Sequence, residues 1–223
     1  MQAHSIKDTS VGVQERGVDI AMRLAANGMT LRSSDFSDAG VHRQSVANLV
    51  ESGRLEQISR GCYRIAPNGS TDVPATWKPL LAAAARWPTA IVCGPTAAAW
   101  HGLAPDEPWA LWLAVRRGRS RPHGMAMYRQ VVVREWNARH FAAARSSVML
   151  GNESVPMVSP EHVVAEIAGR VLQGYAAAGE KAAAAAEKFL ASGGSRQMLR
   201  EALTCVMGRV WLDAPVALVV GEA

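Results

Sequence analysis

The chain has 223 residues, of which 49% are hydrophobic, so it can bury one large core or two small ones. No apolar run reaches the roughly 20 residues of a transmembrane helix, and the N-terminal MQAHSIKDTS lacks the apolar segment of a signal peptide. We therefore expect a cytoplasmic protein. Its three isolated cysteines fit neither a zinc site nor a disulfide framework, and we expect no metal and no cofactor.

The first third of the chain predicts a compact run of helices and a hairpin. The predicted elements are a flexible segment over residues 1–11, an amphipathic helix over 12–27, a short helix over 34–39, a turn at Gly40, a second helix over 42–52 and extended runs over 54–58 and 62–65. Helix, turn, helix and hairpin in this order form a winged helix-turn-helix, whose second helix is shaped to enter a DNA major groove.

The second helix of this predicted unit has two distinct faces. Val46, Leu49 and Val50 fall at helical spacing and are predicted to face inward. Arg43, Gln44, Ala47 and Asn48 lie on the opposite side, near the helix N-terminus that meets base edges in such motifs. Arginine pairs with guanine, and glutamine or asparagine pairs with adenine. The pattern predicts base contacts by this face, although a plain solvated helix or a protein-binding winged helix also fits it.

The hairpin adds positive charge beside this helix. Its predicted phosphate contacts are Arg54, Arg60 and Arg64, with Arg60 and Gly61 at the tip.

The turn formers over residues 67–74 predict a linker, which gives a DNA-binding domain over residues 12–70 and a second domain over 76–223. The elements predicted for the second domain are helices over 77–86 and 97–101, strands over 90–93, 108–116, 129–136, 147–150 and 154–158, and a mostly helical tail from about 160, with helices over 175–192 and 195–211. The predicted fold class is α+β: an N-terminal winged helix-turn-helix, then a mixed α/β domain with a helical C-terminus.

Positive charge concentrates in the middle of the chain. Residues 76–150 carry ten basic and three acidic residues, whereas residues 1–75 carry eight of each. Arg116, Arg117, Arg119 and Arg121 stand close together, and no acidic residue lies between Glu107 and Glu135. This stretch is a second candidate for contact with nucleic acid or an acidic partner, although a solvated arginine-rich loop also fits it.

Three segments in this order resemble the AbiEi family, the antitoxins and regulators of type IV (abortive-infection E) toxin–antitoxin systems. They are the wing ESGRLEQISRGCYRI (51–65), the small-residue segment AIVCGPTAAAWHGL (90–103) and the Ser-Pro-Glu-led helix VSPEHVVAEIAGR (158–170). The resemblance spans roughly residues 12–175, and its strength comes from the order and spacing of the segments.

The resemblance implies a repressor of its own operon that also counteracts a nucleotidyltransferase-type toxin, with or without direct contact, and that works as a homodimer or by cooperative assembly on operator DNA. It implies DNA contacts at Arg43, Gln44, Asn48 and Arg60. His42 departs from the Ser or Thr cap of the pattern but can contact a phosphate. Two alternatives stay open: a transcriptional regulator whose second domain binds a ligand or protein without any toxin partner, and a toxin-binding protein or enzyme whose winged helix contacts protein.

The sequence offers no catalytic constellation that would favour an enzyme. His101 has no Ser, Cys or Asp partner at a known motif spacing, and Glu161 and His162 fit the first turn of a helix better than an acid–base pair. We therefore expect a protein without enzymatic activity.

Overall fold

The structure, a computed structural model, describes residues 17–66, 73–104, 110–122, 130–175, 177–208, 212 and 216–221. The flexible segment predicted at 1–11 and most of the predicted linker lie outside the described residues. The start of the first predicted helix and the end of the helix predicted over 195–211 also lie outside them. The same holds for the first residues of the strands predicted over 108–116 and 129–136, which include Trp109 and Arg129. No described helix has the length and apolar character needed to cross a membrane.

The N-terminal part of the chain folds into three helices and a small sheet. Its elements are α1 (Gly17–Ala25), β1 (Leu31–Arg32), α2 (Ser33–Asp38), α3 (Arg43–Glu51), β2 (Leu55–Ser59) and β3 (Cys62–Ile65). The three strands form an antiparallel sheet in the order β1-β3-β2. The structure thus contains the predicted helix-turn-helix and hairpin, with β1 as an additional strand beside β3.

A small apolar cluster holds these N-terminal elements together. Gly40 adopts φ +75°, which glycine tolerates, and the chain reverses there between α2 and α3. Val46 and Leu49 of α3 are buried and Val50 is half-buried, as the helical spacing predicts. The N-terminal cluster consists of Ala21, Ala25, Phe36, Val41, Val46, Leu49 and Leu55.

The rest of the chain builds a second sheet and most of the helices. Its elements are α4 (Lys78–Arg86), β4 (Ile91–Val92), α5 (Gly94–Trp100), β5 (Leu111–Arg116), β6 (Val131–Trp136), α6 (Ala138–Ala144), β7 (Arg145–Leu150), β8 (Glu153–Val158), α7 (Pro160–Gly169), α8 (Ala178–Ala191), α9 (Arg196–Met207) and α10 (Val216–Val220). The sheet order is β6-β5-β4-β8-β7. The pairs β5–β6 and β4–β8 are parallel, and β4–β5 and β7–β8 are antiparallel. The predicted α+β fold class is confirmed.

A much larger cluster, the C-terminal cluster, fills the space between this sheet and its helices. Leu111, Leu113 and Val115 of β5 are buried, since this central strand is covered on both faces. The alanine-rich helix α8 buries Ala182 and Ala185 against its neighbours, because small side chains allow close packing.

One helix of the second part was not predicted. Helix α6 lies between β6 and β7, where the sequence analysis placed no element. Asn137 caps it by accepting a hydrogen bond of 2.8 Å from the His140 N–H, and Phe141 and Ala144 are buried beneath it. The helix is seven residues long, and its apolar face becomes apparent only once it packs on the sheet.

The two parts of the chain contact each other through both polar and apolar groups. The backbone N–H and the hydroxyl of Thr30 donate hydrogen bonds of 2.7 Å to the two carboxylate oxygens of Glu153, at the start of β8. Lys78 at the start of α4 forms an ion pair of 2.6 Å with Glu56 of β2. Ile58 and Cys62 of the small sheet belong to the C-terminal cluster. We call the Thr30–Glu153 contact the junction.

Candidate nucleic-acid interface

The outward face of α3 is polar and fully available to solvent. His42 precedes the helix in extended backbone conformation and makes no side-chain capping hydrogen bond. Its side chain and those of Arg43, Gln44 and Asn48 are exposed, while Val46 and Leu49 on the opposite face are buried. The structure therefore brings together the four predicted helix contacts on one surface, around a helix N-terminus that favours negative charge.

Two amides on this face are already paired with each other. The Gln44 Nε2 donates a hydrogen bond of 2.9 Å to the Asn48 Oδ1, one helical turn away. Each amide keeps a free donor and a free acceptor, because an amide NH₂ carries two N–H groups and its oxygen two lone pairs. The pair is thus held in place and can still read a base edge.

The hairpin places two of its three predicted arginines outward. Arg54 and Arg60 are exposed, and Gly61 at the tip has φ +74°. Arg64 is different, because its side chain is only 8% exposed. It lies on the same face of β3 as Cys62, which packs into the C-terminal cluster. The expectation of a phosphate contact from Arg64 does not fit this position, and we leave it out of the candidate surface.

Sequence reasoning passed over a further arginine beside the wing tip. Arg32 on β1 pairs with Cys62, next to the Arg60–Gly61 turn. Its guanidinium binds the carboxylate of Asp35 at 2.9 Å. The signal was not visible in the sequence, because β1 exists only through its pairing with β3.

The four arginines of the middle stretch lie at the end of β5 and in the turn that follows. Arg116, Arg117, Arg119 and Arg121 are all exposed. Arg121 forms an ion pair of 2.6 Å with Glu135, so part of its charge is already compensated. The backbone N–H of Arg117 donates to the Trp136 carbonyl at 2.8 Å, which continues the β5–β6 pairing into this turn.

The register of the large sheet places these arginines at the end that faces the N-terminal part. Val92 of β4 is opposite Met157 of the parallel β8 and opposite Leu113 of the antiparallel β5. The start of β8, where Glu153 holds Thr30, is therefore at the same end of the sheet as the last residues of β5. Only β4 separates these two strands, a distance of about 10 Å. We call the segment that carries Arg116, Arg117, Arg119 and Arg121 the arginine turn, and residues 17–66 the winged-helix unit. The two thus share one end of the second sheet.

Comparison with known proteins supports the N-terminal assignment. Residues 19–66 match the family model described as a transcriptional regulator, AbiEi antitoxin. The AbiEi resemblance is confirmed over these residues. No curated protein matches the chain. Among solved structures, the crystal structure of the RV2827C protein from Mycobacterium tuberculosis is similar, with a TM-score of 0.54 and 19% identity, over 92% of this chain and 76% of that one. At this identity the likeness concerns the fold alone.

His101 has a structural partner in the fold. The His101 Nε2 makes a hydrogen bond of 2.8 Å with the Val158 carbonyl, and burial lowers the pKa of His101. A neutral ring that donates from Nε2 fits both observations. This contact gives His101 a structural role.

Ser159, Glu161 and His162 come together at the start of α7 but not in a catalytic relay. The Ser159 Oγ is 3.1 Å and the Glu161 Oε1 is 3.6 Å from the same His162 nitrogen, Nδ1. A relay needs the acid and the nucleophile on opposite ring nitrogens. Ser159 precedes the helix but makes no capping bond to the backbone, and its hydroxyl contacts the imidazole instead.

Within the described residues no group of three or more His, Cys, Asp or Glu side chains could hold a metal. A pocket between α4 and the large sheet, lined by Ala83, Trp87, Leu113 and Val155, has no room for a water molecule. At that place the structure offers no ligand-binding cavity.

Proposed function

We propose that the protein binds a specific DNA duplex through α3 and the hairpin and represses its own toxin–antitoxin operon. The observation that carries the proposal is the exposed polar face of α3, ordered over a buried apolar face and placed beside two exposed hairpin arginines. Arg43, Gln44 and Asn48 would contact base edges, and His42, Arg54 and Arg60 would hold phosphates.

The arginine turn extends this surface in the proposal. Arg116, Arg117, Arg119 and Arg121 are exposed at the end of the sheet where the N-terminal part is attached. They would bind phosphates beyond the groove that α3 occupies. Each phosphate contact adds about one to the slope of log affinity against log salt, so this stretch would steepen the salt dependence of binding.

The remaining assignments follow the sequence analysis and the resemblance stated there. We propose that residues 12–70 form the DNA-binding domain and that residues 76–223 form a C-terminal antitoxin domain, which counteracts a nucleotidyltransferase-type toxin in the cytoplasm without catalysis of its own. Two copies would occupy a repeated operator, as a homodimer or by cooperative contacts on the DNA.

A binding titration against the DNA upstream of the protein's own gene tests the first part. We expect a specific shift that survives scrambled competitor, and a loss of affinity of about 5- to 150-fold for R43A and for N48A, because each good base contact is worth about 1–3 kcal/mol. The matched control is K188A, which removes an exposed charge from α8. Unchanged binding by R43A and N48A would refute the assignment of α3.

The antitoxin part needs a separate experiment. Co-expression with a nucleotidyltransferase-like gene product encoded beside this one is expected to restore growth that the toxin alone arrests. Restoration should persist with R43A, because the proposal separates DNA reading from toxin neutralisation. Growth arrest that persists despite folded protein would instead favour a regulator without a toxin partner.

A further inference from the structure

A second group of arginines and aromatic rings lies on the α7 face of the large sheet. The guanidinium carbon of Arg134 is 5.1 Å from the ring centre of Trp112, and that of Arg170 is 6.0 Å from the same ring. Arg170 also lies 5.2 Å from the ring of Tyr175. We call Trp112, Arg134, Arg170 and Tyr175 the tryptophan platform. None of these residues belongs to the surface proposed for duplex DNA.

The fold fixes the centre of this platform rigidly. The backbone N–H of Trp112 donates to the Thr96 hydroxyl at 3.0 Å, and that hydroxyl donates to the Ala110 carbonyl at 3.1 Å. Gly94 lies against the indole with φ +53°, and a Cβ there would stand 3.3 Å from the ring. Trp112 is only 9% exposed, so it serves as a fixed support for the two guanidinium groups and not as a contact surface itself.

The guanidinium groups of Arg134 and Arg170 pack against aromatic rings but have no side-chain hydrogen-bond or ion-pair partner among the described residues. Among the described residues, neither Arg134 nor Arg170 forms a hydrogen bond or an ion pair shorter than 4.0 Å with a side chain, and each lies within 6.0 Å of an aromatic ring centre. A guanidinium that is stacked on an aromatic ring keeps its five donors in one plane, an arrangement suited to phosphate.

Glu166 is an acidic group that interacts electrostatically with this pair. Its Oε2 accepts a hydrogen bond of 3.1 Å from the Gly94 N–H. Burial raises the pKa of Glu166 to about 7, against the opposing effects of the Gly94 bond and of Arg134 and Arg170. At neutral pH the carboxyl is therefore only partly ionised, and the positive charge of the two arginines is not fully compensated.

Exposed aromatic surface adjoins these donors. Tyr175 is 58% exposed and Leu172, in the 3₁₀ turn over Arg170–Gln173, is 53% exposed. An exposed ring beside free guanidinium groups is the combination by which proteins hold single strands, because an unpaired base can stack on the ring while the arginines hold the backbone. A base pair inside a duplex has both faces covered and cannot stack in this way.

We propose that the tryptophan platform binds an unpaired nucleotide of a single-stranded nucleic acid, with the base on Tyr175 and the phosphate between Arg134 and Arg170. Arg116, which the proposed duplex surface also uses, would extend the path of the strand. In the β5–β6 register Trp112 is opposite Val132 and Ala114 is opposite Arg134, so Arg116 and Arg134 project from the same sheet face, about 7 Å apart.

The test uses a fluorescein-labelled single-stranded oligonucleotide of about 12 nucleotides, as DNA and as RNA, in an anisotropy titration at low salt. We expect Y175A to weaken binding by about 5- to 150-fold, the equivalent of 1–3 kcal/mol per stacked base. The double variant R134Q/R170Q is expected to weaken binding and to flatten its salt dependence. The matched controls are M198A, which removes another exposed apolar side chain, and R196Q, which removes another exposed guanidinium.

Two comparisons separate this site from the duplex surface. R43A/N48A should keep its affinity for the single strand, and Y175A should keep its affinity for the operator duplex. Equal affinity of Y175A and M198A for the single strand would overturn the proposal, and so would a loss of single-strand binding in R43A/N48A. Displacement of the probe by free adenosine monophosphate would assign the site to a mononucleotide, whereas resistance to it would assign the site to a strand.

A pH series adds a measurement that a purely structural platform would not change. The groups that face Glu166 are the Gly94 N–H, Arg134, Arg170 and the buried thiol of Cys93. As pH rises from 6 to 8, Glu166 ionises and competes for the two arginines, while phosphodiesters keep their charge. We expect affinity for the single strand to fall severalfold over this range in the parent and to stay level in E166Q. An equal fall in single-strand affinity in E166Q would contradict the proposal that Glu166 competes for the two arginines.

Discussion

The N-terminal and C-terminal clusters of this protein differ in size and in what depends on them. The described N-terminal cluster comprises seven buried residues, whereas the C-terminal cluster fills both faces of a five-stranded sheet. The small cluster supports the whole polar face of α3. Two apolar residues of the small sheet, Ile58 and Cys62, are packed into the larger cluster.

This difference indicates that the winged-helix unit draws part of its stability from the rest of the chain. A unit of about 50 residues buries a limited fraction of its surface, so small losses have large consequences for it. The larger cluster can absorb the same loss without unfolding. Substitutions that remove similar contacts should therefore destabilise the N-terminal part more than the C-terminal part.

The largest expected effect is the loss of Phe36. F36A leaves a cavity in the N-terminal cluster and removes the edge-to-face contact with Tyr63, whose ring centre is 5.9 Å away. We expect a cost of about 3–5 kcal/mol in the free energy of unfolding of the N-terminal unit. Hydrogen exchange should show lost protection over residues 33–51 and retained protection over β5. Unchanged exchange in α2 and α3 would contradict the comparison.

The second-largest effect on stability is expected from a change at the junction between Thr30 and Glu153. E153Q replaces a carboxylate that accepts two hydrogen bonds from Thr30 with an amide that has only one acceptor oxygen. We expect a loss of about 1–3 kcal/mol and faster hydrogen exchange over residues 30–65, because a buried donor is left unsatisfied. E135Q, which breaks the more exposed pair with Arg121, is the control and should cost less than about 1 kcal/mol. Equal effects of the two variants would mean that the junction does not couple the parts.

A smaller effect is expected from acid, and it should fall on the C-terminal part. Burial, together with the nearby His162, lowers the pKa of His140 to about 4. The unfolded chain therefore binds a proton more readily than the folded one, and stability is lost as pH falls from about 6.5 to 4. Because His140 is partly exposed, we expect the free energy of unfolding to fall by only about 1–2 kcal/mol. H140F keeps the ring stacked 4.1 Å from Trp136 and should make unfolding less sensitive to pH in this window. An identical acid loss in H140F would assign it to other groups.

The smallest effect on stability is predicted for Gln44. Q44A removes only the hydrogen bond to Asn48, worth about 0.2–0.5 kcal/mol. Q197A is the matched control, because Gln197 makes the same one-turn contact, 2.7 Å long, with Glu201 on α9. Thermal unfolding should respond equally to both variants. Operator affinity should fall only in Q44A, and an equal change in both would remove Gln44 from the reading surface.

Local sequence patterns predicted α3, its two faces, the hairpin and most strands of the large sheet. These elements carry their signal in consecutive residues: apolar spacing in α3, and Gly151–Asn152 in the turn between β7 and β8. These two turn residues lie between the strands in the structure.

The features that escaped prediction depend on distant residues. Strand β1 has two residues and exists because β3 lies beside it. Arg64 alternates with Cys62, so the sequence did show that the two share a face. It did not show that the C-terminal cluster covers that face. Glu153 stands 123 residues from Thr30, and no local pattern links them.

The junction also bears on how a duplex would be recognised under the proposed function. Because Glu153 ties the N-terminal unit to the end of the sheet that carries the arginine turn, the spacing between α3 and that turn is fixed. A duplex would have to place a groove against α3 and phosphates against the arginine turn at that spacing. The protein would therefore bind best to DNA whose curvature matches it. Sequences that bend easily would then be preferred at positions that no side chain touches.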